Sequence, residues 1–186
     1  MRVFVAGLAF IATATLGADW GVVQLFDTLA KERPGRAAFT EKKFLSILDK
    51  PVESSGELDF TPPDRLEKRT LKPKPESVVV ERDSVTLERG GRRRTLRLRE
   101  NPQVAVLVES IRATLAGDLA SLTRTYSTAL EGSPARWKLI LRPLDPSLGG
   151  LVERIEIGGA QAQARTVEIF QADGDRSVMT ISPLAR

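Results

Sequence analysis

The stretch SVVVERDSVTLERGGRRRTLRLR, residues 77–99, decides the fold. Two apolar or alternating runs at 78–81 and 85–88 are separated by a polar turn, and each run is as long as a typical strand. Gly90-Gly91 then forms a two-glycine hairpin signal, and 95–99 alternates again between apolar and charged residues. Strands joined by turns this short pair antiparallel. The stretch therefore predicts an antiparallel meander.

Similar strand patterns occur on both sides of this stretch. Alternating or β-branched runs bounded by Gly, Pro, Ser or Asp predict further strands at 37–48, 57–60, 65–71, 137–141, 152–157, 166–170 and 177–181. The last two are joined around Asp173-Gly174-Asp175, which is typical of a hairpin turn and lacks the further spaced carboxylates of a Ca²⁺ loop. Before the strands, 19–31 has helical spacing, with an apolar face formed by Val22, Leu25, Phe26 and Leu29.

The period of the pattern changes after the meander. Asn101-Pro102 is a helix start, and an apolar stripe follows at Val104, Leu107, Val108, Ile111 and Leu115. Gly117 favours a helix end, and Asp118 can cap a second helix that carries Leu119, Leu122, Tyr126 and Leu130 and ends before Gly132. The sequence therefore predicts a two-helix insertion between two sets of strands.

These elements together predict an α+β domain. Its sheet is expected to be a single curved antiparallel layer, either an incomplete, unclosed β-barrel or a strongly twisted layer. An amphipathic helix has to bury its apolar stripe, so the N-terminal helix and the two-helix insertion are expected to cover the concave apolar face. The sequence leaves open whether the space beneath the helices is a packed core or a cavity.

Composition excludes much chemistry. The chain has 186 residues with no cysteine and no histidine, so thiolate nucleophiles, Ser–His pairs and the usual zinc ligand sets are absent from the sequence. We therefore expect no enzyme, no catalytic residue, no metal and no cofactor. With 28 Lys+Arg against 24 Asp+Glu and only 5% aromatic residues, the chain also lacks the concentrated charge and stacking residues of a nucleic-acid binder.

The first residues resemble an export signal. Met1-Arg2 precedes an apolar run at 3–12, which is too short to span a bilayer comfortably, and the small residues Gly17-Ala18 come before Asp19. We predict a cleavable signal peptide at 1–18 and a single domain at 19–186. The expected location is the periplasm of a Gram-negative bacterium.

Several stretches carry a family resemblance. Phe39-Thr40-Glu41-Lys42 is similar to the first-strand Phe-Thr-Gln-Lys of the periplasmic lipoprotein carriers of the LolA/LolB family. The stretch at 56–66, GELDFTPPDRL, is similar to that family's Gly-x-Leu-x-Phe/Val-x-x-Pro-x-x-Leu/Phe. The valine-rich hairpin at 78–87 and Gly117-Asp118 follow in the same order. Pro62 stands where the family has an arginine that helps control lid opening, and Lys68 stands where it usually has tryptophan.

The resemblance implies a function in transport. Members of this family hold acyl chains in an apolar cavity under a helical lid, which implies a monomeric periplasmic carrier for an acylated lipoprotein or a glycolipid-like cargo. It also implies an inner-membrane exporter and an outer-membrane acceptor as partners, and no nucleic acid. Such a carrier needs a cavity that shields the acyl chain from water, because each exposed methylene group costs roughly 0.8 kcal/mol in water. The alternative function is a solid β domain that docks onto an envelope transport or lipid- or pigment-export complex.

The candidate cavity residues are the apolar side chains expected to point inward. From the strands they are Leu58, Phe60, Leu66, Val79, Leu87, Leu96, Leu98, Trp137, Leu139, Leu141, Ile155, Ile157 and Ile169, and from the helices Leu107, Ile111 and Leu115. A second candidate site is the arginine-rich hairpin, where Arg92, Arg93 and Arg94 can meet lipid head groups or an acidic partner. The plain alternative for these arginines is a solvated strand that they protect from edge pairing.

Overall fold

The computed structural model describes residues 20–31, 35–146 and 150–184, so the predicted signal peptide at 1–18 lies outside the described residues. Eleven strands occur in these ranges. They are β1 Gly35–Phe44, β2 Val52–Thr61, β3 Arg65–Lys72, β4 Glu76–Glu81, β5 Ser84–Arg89, β6 Arg92–Arg97, β7 Tyr126–Ser133, β8 Arg136–Pro143, β9 Val152–Ala160, β10 Gln163–Gln171 and β11 Arg176–Pro183.

All of these strands form one antiparallel sheet. Its order is β6-β5-β4-β3-β2-β1-β11-β10-β9-β8-β7, so the first and last strands of the chain, β1 and β11, meet in the middle. β6 and β7 are the free edges, and no pairing between them closes the sheet within the described residues. This arrangement confirms the predicted α+β fold with an unclosed barrel.

The turns form where the sequence predicted them. Gly90 and Gly91 have φ angles of 58° and 74°, which a two-residue hairpin turn requires and which glycine adopts without strain. The β10–β11 turn is closed by the main-chain N–H of Asp175, which donates to Oδ1 of Asp173 at 3.0 Å. The arginine-rich stretch and the Asp-Gly-Asp stretch are therefore both parts of hairpins.

Helix α1 spans Val22–Leu29 and buries Leu25, Phe26 and Leu29, three of the four residues on its predicted apolar face. The longest helix in the described ranges is α2, Pro102–Ala116, and none there combines the length and apolarity needed to cross a bilayer. α2 follows a 3₁₀ turn at Leu98–Glu100 and ends at Gly117, whose φ of 70° is left-handed.

The second insertion helix is much shorter than expected. Helix α3 is only Leu119–Leu122, so the prediction of a helix reaching Leu130 is wrong, and Tyr126 begins strand β7. The spacing of residues 119, 122, 126 and 130 fits a helix, but the intervening Thr123, Thr125 and Thr128 are β-branched and favour a strand. The predicted strand at 37–48 also ends earlier, at Phe44, because the chain turns at Leu45, whose carbonyl accepts from the N–H of Leu48 at 2.9 Å.

Two separate cores fill the concave side of the sheet. The larger core joins the three helices to β7, β8 and β9, and its buried members are Leu25, Phe26, Leu29, Ala113, Leu122, Tyr126, Trp137, Leu139, Leu141, Ile155 and Ile157. The smaller core consists of Val80, Val85 and Leu98, with Val104, Ala105 and Val108 of α2 packed against it. Helix α2 therefore has one long side on each core.

Candidate functional site

An apolar cleft lies between the two cores. It has a volume of about 130 Å³ and is bounded by the middle strands of the sheet and the C-terminal half of α2. The apolar lining residues are Leu58, Leu66, Ile111, Leu115, Ile157, Ala164, Val167, Ile169, Met179 and Ile181, and the polar ones are Glu41, Lys68, Thr114 and Ser177. We call this space the lid cleft, with α2 as its lid.

Strand register explains why these residues meet. Directly opposed residues of neighbouring strands point to the same face of a sheet. Met179 is opposed by Glu41 on one side and by Val167 on the other, while Leu58 is opposed by Lys68. Alternate residues of the five central strands are thereby brought to the concave face, under α2.

An ion pair interrupts this apolar wall. The ammonium of Lys68 lies 2.6 Å from Oε2 of Glu41, and the side chains are 24% and 8% exposed. The hydroxyl of Ser54 donates to the same carboxylate oxygen at 3.2 Å, and the Lys68 ammonium lies 4.9 Å from the centre of the Phe39 ring. A buried charge needs such partners to offset its lost hydration. The lid cleft is therefore mostly apolar, with one ion pair whose two charges compensate each other.

The buried polar side chains of the lid form hydrogen bonds within the same helix. Ser110 and Thr114 are buried, and their hydroxyls donate to the carbonyls of Leu107 and Ser110 of the same helix, each at 2.7 Å. Thr114 lines the lid cleft, so its hydroxyl bond within the helix leaves the cleft without a free donor at this point. The hydroxyl of Tyr126 donates to the Val106 carbonyl at 3.3 Å, and burial raises the pKa of this phenol, opposed by a hydrogen bond with Ser110.

Few polar contacts fasten the lid. Nη1 of Arg112 donates to the main-chain oxygen of Arg82, in the β4–β5 turn, at 2.9 Å, and to Oε1 of Glu109 at 3.0 Å. At the N-terminus, the amide of Asn101 donates to the Arg97 carbonyl, and no side chain caps the helix. The lid is therefore fixed mostly by its apolar packing, with Arg112 and the Tyr126 hydroxyl as its polar fastenings.

The structure brings six of the predicted cavity residues to the lid cleft. Leu58, Leu66, Ile111, Leu115, Ile157 and Ile169 line it. Five others lie in or against the larger core, namely Leu107, Trp137, Leu139, Leu141 and Ile155. The ring of Trp137 is buried in this core, and its Nε1 donates to the Gln161 carbonyl at 2.9 Å. Contact with a lipid stays a prediction for all of these residues.

The remaining five predicted residues lie away from the lid cleft. Val79 is opposed by Glu67, whose neighbours Leu66 and Lys68 line the lid cleft, so Val79 points to the other face. Three consecutive valines gave no alternation from which to choose the face. Leu98 lies in a 3₁₀ turn and belongs to the smaller core.

Leu96 is exposed because β6 is an edge strand that extends beyond the lid. Leu87 is opposed by Val78, and Phe60 by Leu66, so both are on the concave face. They are half-buried there but outside the cleft lining. Their predicted role in lining the cavity is therefore not met in this state of the lid.

Sequence reasoning missed Glu41, Lys68, Thr114 and Ser177, and the apolar residues Ala164, Val167, Met179 and Ile181. Strand alternation could have identified two of these residues. Lys68 shares the alternation of Leu66, and Glu41 shares that of Phe39. Charged side chains are normally assigned to the solvent face, which hid this pair.

The arginines of the β5–β6 hairpin are exposed. Nε of Arg93 lies 3.8 Å from Glu88, whereas Arg92 and Arg94 have no ion pair within the described residues. Their contact with head groups or an acidic partner stays a prediction. The position of β6 at the free edge is also consistent with protection of that edge by charge.

Charged groups with shifted pKa values lie away from the lid cleft. Hydrogen bonds from Arg154 and Lys138 lower the pKa of Glu156, whose neighbour Ile157 lines the cleft, so Glu156 points to the convex face. Within the described ranges no three Asp or Glu side chains form a group that could hold a metal ion. These charges therefore form a surface network rather than a second site.

Comparison with known proteins identifies the family of this chain. The family described as outer membrane lipoprotein carrier protein LolA-like matches residues 11–185. A search of curated proteins by sequence gave no match.

Solved structures with a similar fold include a LolA superfamily protein from Nitrosomonas europaea, with 10% identity over 90% of this chain and 95% of that one and a TM-score of 0.46. A putative outer membrane lipoprotein-sorting protein domain from Vibrio parahaemolyticus has 10% identity over 87% and 88%, with a TM-score of 0.47. LprF from Mycobacterium bovis has 15% identity over 87% and 91%, with a TM-score of 0.37. Because the family match covers almost the whole chain, the protein belongs to the LolA-like family of outer membrane lipoprotein carrier proteins.

Proposed function

We propose that this protein is a non-enzymatic carrier that shelters acyl chains in the lid cleft while they cross the periplasm from the inner to the outer membrane. The observation that carries the proposal is the lid cleft itself, an aliphatic space left between two packed cores. Protein interiors are normally close-packed, so an apolar gap at the centre of a sheet requires an explanation. Membership of the LolA-like family supports the same reading.

The volume of the lid cleft is smaller than a whole acyl chain requires. A cavity of about 150 Å³ holds one benzene molecule, so the observed 130 Å³ accepts only a short piece of hydrocarbon. Ligand sites for larger molecules usually measure about 300–1,000 Å³. An acyl chain of ordinary length therefore requires α2 to move away from the sheet, which breaks few polar contacts but also separates apolar packing with the two cores.

The chemistry of the wall suits both uptake and release. Each methylene group moved from water into the cleft contributes roughly 0.8 kcal/mol, and the aliphatic side chains provide no fixed polar anchor that would hold the cargo. Among the described residues, Glu41 is the only carboxylate that lines the cleft, and it is paired with Lys68. An acylated lipoprotein or a glycolipid-like molecule is the proposed cargo, with a membrane exporter and acceptor as partners of a monomeric carrier.

Displacement of a fluorescent fatty acid tests the proposal. We expect the intact protein to bind the probe and Leu115→Glu to lower the affinity at least tenfold, because the new carboxylate enters the apolar cleft. Val23→Glu is the matched control, since Val23 is an exposed residue of α1 that does not line the cleft. Circular dichroism checks that both variants fold. Absence of probe binding by the folded wild type would instead favour a docking module, the second function expected from the sequence.

The identity of the cargo can be read directly. Native mass spectrometry of the protein purified from its own periplasm should show an added mass that corresponds to an acylated molecule. A lid-cleft variant such as Leu115→Glu should lack this mass, whereas Val23→Glu should retain it.

A further inference from the structure

One end of the sheet combines exposed apolar and basic side chains. β1 ends at Phe44 and β2 begins at Val52, while β3 ends at Lys72 and β4 begins at Glu76. Because neighbouring strands run in opposite directions, both connections lie at the same end of the sheet. One surface depression is lined by Lys42 and Glu53 from the first segment and by Lys72 and Pro73 from the second, so the two segments are adjacent. We call residues 42–53 and 71–75 the rim.

The rim exposes large apolar side chains. Ile47 is 86% exposed, the highest value among the large exposed hydrophobic residues of the described ranges. Five of those ten residues belong to the rim, namely Phe44, Ile47, Leu48, Val52 and Leu71. Single exposed apolar residues are ordinary, but a cluster of them usually marks an interaction surface.

The loop that carries Ile47 is held in place. The main-chain N–H of Ser46 donates to Oδ1 of Asp175 at 2.7 Å, which ties the loop to the β10–β11 turn. The N–H of Leu48 donates to the Leu45 carbonyl at 2.9 Å, and the Arg176 guanidinium lies 4.7 Å from the centre of the Phe44 ring. The fold therefore holds Ile47 and Leu48 outward instead of folding them back onto the sheet.

Lysines surround these apolar residues. The chain has eight lysines, and five of them fall in the rim, against the two carboxylates of Asp49 and Glu53. Lys42 pairs with Glu53 at 3.0 Å. The ammonium of Lys43 lies 4.0 Å from Oε2 of Glu41. The remaining three rim lysines, Lys50, Lys72 and Lys74, have no ion-pair partner within the described residues. Apolar side chains in a basic surrounding are typical of segments that bind an anionic membrane surface.

We propose that the rim docks the protein onto an anionic lipid bilayer. Ile47 and Leu48 enter the interfacial region, and Lys50, Lys72 and Lys74 contact the head groups. A protein partner is less well matched, because lysine is depleted in protein–protein interfaces whereas arginine and aromatic residues are enriched. The proposal goes beyond a carrier function, since it concerns how the molecule meets a membrane and does not depend on what fills the lid cleft.

Vesicle flotation tests this proposal with the purified protein. We expect binding to vesicles of phosphatidylglycerol and phosphatidylethanolamine, weak binding to vesicles of phosphatidylcholine alone, and a loss of binding as salt rises. Equal binding to both vesicle types, or no binding to the anionic ones, overturns the proposal. The second outcome would leave the rim as a surface for a protein.

Matched variants locate the contact. Ile47→Ser with Leu48→Ser should lower the partition coefficient at least about tenfold. Replacing Lys50, Lys72 and Lys74 by glutamine should lower it about fivefold for each lysine. Leu184→Ser and the pair Arg97→Gln with Arg99→Gln are controls, because these exposed residues lie at the opposite end of the sheet. Rim variants that bind like the wild type, or controls that lose binding equally, overturn the assignment.

The cysteine-free sequence allows a direct depth measurement. Ile47→Cys and Leu184→Cys each provide a single attachment site for an environment-sensitive fluorophore. Anionic vesicles should shift the emission to the blue at position 47 and leave it unchanged at position 184. Fatty-acid binding should be the same in the rim variants as in the wild type, so failure of the rim proposal and failure of the carrier proposal are distinguishable.

Discussion

The ammonium of Lys68 lies 2.6 Å from Oε2 of Glu41, inside a cleft that is otherwise mostly aliphatic. The two residues belong to different strands, β3 and β1, with β2 between them. The pair therefore ties three neighbouring strands together beneath the lid, and it places the one compensated charge of the cleft next to the proposed path of the cargo.

Breaking this pair on one side should cost more than removing it altogether. Lys68→Met leaves the buried Glu41 carboxylate with the Ser54 hydroxyl and the more distant Lys43 ammonium, 4.0 Å away, so we expect a loss of about 2 to 4 kcal/mol in the free energy of unfolding. The double variant Glu41→Met with Lys68→Met should recover most of that loss and bind the fatty-acid probe at least as tightly as the wild type. Urea unfolding of the two single variants and the double variant measures the coupling. Additive effects would contradict the role given to the pair.

Arg112 should act as a fastening of the lid. Arg112→Gln removes the bond from Nη1 to the Arg82 carbonyl, and we expect a loss of about 1 to 2 kcal/mol together with faster probe uptake, because α2 separates more readily from the β4–β5 turn. Amide hydrogen exchange in α2 and stopped-flow probe binding measure the two effects.

Arg124→Gln is the matched control for Arg112, because Arg124 is an exposed arginine that donates only to the Ser121 hydroxyl. Slower uptake in Arg112→Gln than in the control would show that the side chain promotes opening instead.

Gly117 should tolerate no side chain. Its φ is 70°, and a Cβ atom there would lie 2.4 Å from the main-chain nitrogen of Ala30, where α2 meets the end of α1. We expect Gly117→Ala to lower the free energy of unfolding by more than about 2 kcal/mol, from backbone strain and the clash together. Gly91→Ala is the control. The φ of Gly91 is 74°, and a Cβ atom added there would have no atom within 4 Å apart from its chain neighbours. This variant should show the strain alone, about 1 kcal/mol. Equal losses in Gly117→Ala and Gly91→Ala would mean that α1 and α2 move apart enough to accommodate the added methyl group.

Asp118 should make stability depend on acid pH. Its Oδ1 accepts from the N–H of Ser121 at 2.9 Å at the start of α3, and the hydrogen bonds with Ser121 lower its pKa. A lowered pKa means that the ionised form stabilises the folded state. This contribution is complete above the unfolded-state value near 4 and is lost as pH falls through the folded-state value.

Two substitutions separate the parts of this effect. Asp118→Ala should cost about 1 kcal/mol at pH 7 and less at pH 3, whereas Asp118→Asn should keep the cap and lose its pH dependence. Urea midpoints at the two pH values provide the measurement. A pH-independent loss in Asp118→Ala would rule out the charge of this cap as the cause.

The sheet was predictable from the sequence because local signals specify it. Gly90-Gly91 and the alternating runs beside it predict a hairpin, and the structure has β5 and β6 there. The stretch after Asp118 was mispredicted because residues 119, 122, 126 and 130 satisfy a helical period, while the strand partner that overrides it, β8, comes later in the chain. Pairing with β8, together with the β-branched threonines of this stretch, decided this segment.

The lid cleft was only partly predictable for a related reason. Alternation assigned Leu58 and Leu66 to the inner face, but it cannot separate cleft-lining residues from core residues such as Leu139, because both kinds point inward. Leu139→Glu was therefore a natural test from the sequence alone. In the structure Leu139 has no exposed surface, so this change would unfold the larger core before it reported on cargo.

The unequal cores on the two long sides of α2 give the lid a hinge. Its Val106, Leu107 and Ala113 side belongs to a core of eleven buried residues, Ala113 included, whereas its Val104, Ala105 and Val108 side rests on three. We expect α2 to rotate about its contact with the larger core, so that its contact with the smaller core opens first. Under the proposed carrier function, hydrocarbon enters between α2 and strands β3 to β5, while the larger core stays packed.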